Sequence, residues 1–189
     1  MILWTIQPQE VIDIIERDGV FRCDVDKSEN YNYYHNQYEW MVNEMDKRHI
    51  FHPDGLILPL WAWHTRYGVY KKPDLRNSGL GIKGQKCVCI EFEIPENELL
   101  LSDYDNWHYV LNNMWLDDSK NEEEWKEMRK YFDSLDNETR QELTVSSHQK
   151  IFNIERFETD WESNGFFVQA TFWELRKDMI KDVRYFTAR

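Results

Sequence analysis

The chain has 189 residues, 41% of them hydrophobic and 15% aromatic, with a formal net charge of -12. That apolar content supports one globular core and excludes global disorder, and the length suits a single domain over 1–189. So acidic a chain is repelled by a phosphate backbone, which argues against general nucleic-acid binding, and no apolar run approaches the roughly 18 residues of a membrane span.

The opening MILWTIQPQE has no basic stretch before its short apolar run, so no secretory leader is expected and a cytoplasmic setting is. Leu3 to Ile6 reads as a strand. Pro8 suits the first turn of a helix, Val11, Ile14 and Ile15 form its apolar face, and Gly19 ends it. Tyr31 to Arg48 reads as a second helix, because Tyr34, Tyr38, Met41 and Met45 fall on one stripe. His52 to Gly55 is a turn, and Leu56 to His64 a strand that Pro59 makes an edge or an irregular start. Trp61 and Trp63, two residues apart, project from one face of that strand as a flat aromatic wall. Such a wall is either core or a stacking surface for a planar ligand.

Arg66 to Gln85 follows as a long polar connection with four glycines, and it is the one basic segment of an acidic chain. Its Arg66, Arg76 and the Lys71–Lys72 pair suit a phosphate or pyrophosphate beside the indoles; the plainer reading is that they balance nearby acids. Cys87 to Ile94 alternates as a strand in which Cys87 and Cys89 read as buried thiols rather than a disulfide.

Ser102 looks like an N-cap for a helix from Asp103 to about Asn113, with Trp107, Val110, Leu111 and Met114 inward. A charged helix over Asn121 to Phe132 turns Trp125, Met128 and Phe132 inward, and a short one surrounds Asn137 to Leu143, which makes 103–143 the helical segment. Phe166 to Leu175 and Val183 to Phe186 read as strands. The class expected is α+β: one domain, a central and mostly antiparallel sheet, and helices packed around it.

No His, Cys, Asp and Glu set has metal-ligand spacing, so no metal is expected, and nothing near Cys23 marks it as a nucleophile. Phosphate-loop, GxGxxG and GxSxG patterns do not occur.

Five dispersed stretches carry a resemblance: LWTIQ at Leu3–Gln7, PLWAWH at Pro59–His64, KPDLR at Lys72–Arg76, LLLSDYDNWHYVLNN at Leu99–Asn113 and QATFWEL at Gln169–Leu175. They resemble the bacterial domain of unknown function 3841, which implies no activity. The chain departs from that pattern at Ser147-His148-Gln149, where the family has Ser-Trp-Glu. The opening strand and the helix ending in Gly19 also resemble the start of small ADP-ribosyltransferase-like domains, among them DNA-modifying toxins and RNA 2'-phosphotransferases. Those domains end in a strand that begins with a catalytic glutamate, followed by a turn and another strand, and the tail from Phe167 is similar in shape. Gln169 matches the glutamate; it lacks the charge that stabilises a ribosyl cation, but it can bond a ribose hydroxyl. Glu174 is an acid on the same strand, five residues on and therefore on its other face.

This second resemblance implies an ADP-ribosyltransferase-like fold that binds NAD or a related nucleotide, in a toxin or defence context, and it supports that binding more than it supports transfer of ADP-ribose. Gln169 and His64 are its catalytic candidates; Thr5, Gln7, Trp61, Trp63, Arg66 and Arg76 are its cofactor contacts. His64 extends the indole wall and the two arginines meet the pyrophosphate. The alternative is a non-enzymatic protein-interaction module, an antitoxin-like or defence-associated partner, which the acidic surface and aromatic content suit.

Overall fold

The computed structural model describes residues 1–28, 30–159, 161 and 163–189. In chain order the strands are β1 (Ile2–Pro8), β2 (Val20–Arg22), β3 (Leu60–Thr65), β4 (Lys86–Glu93), β5 (Leu99–Asp103), β6 (Phe157–Glu158), β7 (Ser163–Asn164), β8 (Val168–Phe172), β9 (Glu174–Arg176) and β10 (Ile180–Thr187). The α-helices are α1 (Glu10–Asp18), α2 (Tyr31–Lys47), α3 (Tyr104–Leu111), α4 (Glu122–Ser134) and α5 (Asn137–Ser147). Six strands form one sheet in the order β10-β4-β1-β3-β8-β5, every neighbouring pair antiparallel. The mixed α and β architecture expected from the sequence is therefore present.

Alternation along the strands gives the sheet two apolar faces. Leu3, Leu60, Ala62, Ile90, Phe92, Ala170 and Phe172 lie on one, where Val11 and Ile15 of α1 cover them. Gly19, at φ 77°, ends α1 in the left-handed conformation a glycine adopts without strain. On the other face, at the β5–β8 end, Leu100 and Trp173 pack against Met41 and Met45 of α2 and Trp107 and Val110 of α3. The 66–85 connection covers the opposite end of that face: Tyr70 packs on Trp4, and Arg184 holds the Pro73 carbonyl.

Several expectations need correction. Pro8 ends β1 rather than starting a helix. β3 begins at Leu60, not Leu56, since Pro59 lacks the N–H a ladder needs. Leu99–Asp103 is a strand, and the N-cap is not Ser102 but Asp103, whose carboxylate accepts from the Asn106 N–H at 2.9 Å. The expected 166–175 strand breaks at Trp173, and its end leaves the main sheet as β9 to pair with β2. Trp107 and Val110 are buried, but Met114 is 50% and Trp125 42% exposed. Leu111, Met128 and Phe132 are only half-buried. Cys87 and Cys89 are buried free thiols.

Candidate functional site

β1 and β3 are neighbours, yet among the described residues they meet in register only at Trp4 and Trp63. Beyond that point β1 stays paired with β4 as far as Pro8, and β3 with β8 from Leu60. The two halves of the sheet diverge there, and a cleft of about 330 Å³ opens between them. That size is at the small end for ligand sites. Thr5 spans the start of the gap: its Oγ1 donates to the Trp61 carbonyl at 3.0 Å and accepts from Gln7 Nε2 at 2.9 Å. A side chain thus replaces the ladder bond that the diverging strands cannot make.

Thr5, Gln7, Trp61, Trp63 and Gln169 all line this cleft. Register sets Trp4, Trp63, Gln169 and Ser102 opposite one another on one face across four strands, and Thr5 and Gln7, one residue out of phase with Trp4, border the gap from the other face. The indoles serve both of the roles left open by the sequence. Trp61 packs on Trp107 and Tyr38, with ring centres 5.3 and 6.4 Å away, and Trp63 on Tyr104 at 5.0 Å, while both also face the cleft. Support from the core fixes their planes, as a stacking surface requires.

Gln169 is 6% exposed, and its Nε2 has no hydrogen-bond partner. Ser102 Oγ opposite it and Thr171 Oγ1, two residues along the same face, are likewise buried and unpartnered. Leaving such a group unsatisfied costs about 1–3 kcal/mol, so an unmet donor on a residue that borders a cleft marks a place where a ligand can supply the acceptor.

The other expected residues lie elsewhere. His64 is outside the cleft lining: it stacks on Tyr70 at 4.4 Å, and Nδ1 meets Thr65 Oγ1 at 2.9 Å. Burial pushes its pKa down, which keeps the imidazole neutral at neutral pH. The Arg66 guanidinium lies 5.0 Å from the Trp63 ring centre and lines a second cleft. Arg76 lines neither; its Nε and Nη2 bond the Asp74 carboxylate at 2.9 and 2.6 Å. Glu174 bonds Arg22 at 2.7 Å, away from the cleft.

Phe21 and Cys23 close the cleft and were missed, because a three-residue strand leaves no periodicity to read. Burial, with Asp24 beside it, pushes the Cys23 thiol up, so it stays protonated and is a poor nucleophile. Ser102 reads in the sequence as a helix cap but lies in β5 opposite Gln169, and Thr171 sits inside the expected 166–175 strand, where nothing local marks a threonine as unpartnered. Among the described residues no acidic side chain lines the cleft. It can therefore hold a flat ring and offer an amide donor, but it supplies no carboxylate for acid–base chemistry.

A larger cleft, about 550 Å³, lies between α3, α4 and Trp161. Its Asn106, Asn113 and Asp117 side chains already bond Asn164, Gln141 and Ser119, which leaves it aromatic surface rather than unmet donors. Among the described residues no group of three or more His, Cys, Asp or Glu side chains could hold a metal, and no helix is long and apolar enough to cross a membrane.

A family model described as domain of unknown function (DUF3841) matches residues 2–181. No curated protein and no solved structure matches the chain.

Proposed function

The chain belongs to the DUF3841 family, and from that premise, which carries no activity of its own, we propose that it is an ADP-ribosyltransferase-like domain binding NAD or a related nucleotide in the split of its sheet. The observation that carries this is the unpartnered Gln169 amide beside Trp61 and Trp63. The indoles stack nicotinamide or adenine, and Gln169 Nε2 donates to a ribose hydroxyl. The order of elements supports the reading: a first strand bearing Thr5 and Gln7, a helix ending at Gly19, and a late strand with Gln169 near its start, followed by a turn and β10. With glutamine in place of glutamate, binding is favoured over transfer. If transfer occurs, nicotinamide departs and a nucleophile captures the ribosyl carbon.

The test is calorimetric titration with NAD, with mass spectrometry for transferred ADP-ribose. Binding that is lost in Trp63→Ala and Gln169→Ala supports the reading; a wild type that binds no nucleotide ends it. The second reading, a protein-interaction module, draws on one observation: α4 turns Trp125 toward the larger cleft, where Tyr109, Met114 and Trp161 are also exposed.

A further inference from the structure

The second cleft, about 200 Å³, is lined by Arg66, Tyr67, Lys71, Lys72 and Asp74 among others. Among the described residues neither Arg66, Lys71 nor Lys72 has an acidic partner within 4 Å, in a chain whose net charge is -12. The one carboxylate there, Asp74, is engaged by Arg76 through Nε and Nη2. Its charge is met chiefly by Arg76 from outside the cleft, with a smaller contribution from Lys71, and the three cations lining the cleft keep a net positive charge. Arg66 adds an independent sign: its Nε is buried with no hydrogen-bond partner.

The cleft is also held in shape. Arg66 and Val69 exchange two backbone hydrogen bonds of 3.1 Å around Tyr67 and Gly68, both at positive φ. For Tyr67 that conformation is strained, and such strain persists where surroundings over-determine it. Phe166 fixes the tip by accepting from the Gly68 N–H at 2.8 Å. On the far side both Nη atoms of Arg184 bond the Pro73 carbonyl at 3.2 Å. Trp63 lines the split in the sheet and its ring carries the Arg66 guanidinium at 5.0 Å, so one residue borders both clefts.

We propose that Arg66, Lys71 and Lys72 form a phosphate-binding cleft that seats the pyrophosphate of the nucleotide whose planar end enters the split sheet. This rests on the nucleotide reading above for the second half of the ligand, while the anion site stands on its own residues. Arg66 offers a planar fork to two phosphate oxygens, and the lysines add point charges on mobile stems. Arg76, the more obvious arginine in the sequence, acts as the counter-charge of Asp74 and positions the loop.

Inorganic pyrophosphate, NAD and nicotinamide riboside, titrated separately at low ionic strength, test this. Lys71 and Lys72 are exposed, so the double variant Lys71→Ala/Lys72→Ala keeps the fold. It should weaken pyrophosphate and NAD at least tenfold and leave nicotinamide riboside, which has no phosphate, unchanged. The control Lys126→Ala/Lys130→Ala removes the same charge from α4 and should change nothing. Gln169→Ala should weaken NAD and the riboside but spare pyrophosphate. Failure of pyrophosphate to bind, or equal weakening by the control, overturns the phosphate cleft. NAD binding that ignores both lysines overturns it too and leaves the split-sheet reading intact. Pyrophosphate bound at these lysines, with no binding of NAD or riboside, supports the cleft and ends the nucleotide reading.

Discussion

At Gln169 the sequence places an amide where a buried strand residue has no protein acceptor for its nitrogen. Holding that donor unmet costs the free protein about 1–3 kcal/mol. Gln169→Leu, close to it in volume, should therefore raise the denaturation midpoint while abolishing NAD binding. A purely structural glutamine would lower the midpoint when replaced. The tryptophans separate by burial in the same way. Trp107 is buried between α2, Trp61 and the sheet, so Trp107→Ala should cost about 3–5 kcal/mol. Trp125 is on the rim of an open cleft, and Trp125→Ala should cost well under half as much, about 1 kcal/mol or less. Urea midpoints of the two variants check the contrast.

Among the elements, α2 is tied down at its end by a buried carboxylate. Glu44 is 1% exposed and accepts from Lys47 Nζ at 2.7 Å and from Arg48 Nη1 at 2.5 Å. Burial pushes its carboxyl up, but hydrogen bonds from Lys47, Arg48 and Gln149 more than offset that and leave it below the usual range. A pKa lowered by folding gives stability that is full above the unfolded value, near 4.3, and is lost as pH falls through the folded one. Glu44→Gln should thus cost about 1–3 kcal/mol at pH 7, with the gap from wild type closing as the pH drops below about 4; denaturant melts across that range decide it. α4 is the opposite case. Asn121 caps it, accepting from the Glu124 N–H at 2.9 Å, yet the helix has no buried residue and rests on the stacked Trp115–Phe132 pair at 4.9 Å. Trp115→Ala should speed amide exchange in α4 without touching protection in β4 or β8.

At the scale of the molecule, one antiparallel sheet behaves as two three-stranded halves joined at Trp4–Trp63 and bridged by Thr5. On one face α1 packs across both halves, while on the other α2 and α3 pack at the β8–β5 end only. Thr5→Val keeps the shape of the side chain but removes both the bond to the Trp61 carbonyl and the acceptor for Gln7. It should lower stability by about 1–3 kcal/mol and raise amide exchange along β1 and β3 together while sparing the β4–β10 ladder. Exchange confined to β1 alone would mean that the halves are coupled by more than this junction.

The sequence by itself determined the class of the fold and most of its elements. Period-2 runs such as Cys87–Ile94 and the Met41–Met45 stripe are local signals, set by which side chains must leave water. It also singled out Trp61 and Trp63 as an aromatic wall, and the resemblance to ADP-ribosyltransferase-like domains added Thr5, Gln7 and Gln169. Only the tertiary structure decided that those five meet, since cross-strand register joins residues more than a hundred positions apart. It likewise set Arg76 against Asp74 and left Arg66 without an acidic partner among the described residues, for the pairing of a charge depends on the turn that aims it rather than on its place in a basic run. The amphipathic stripe of α4 was legible, but not how little covers it. A helical period states which face is apolar, and burial needs a partner surface that the period does not encode.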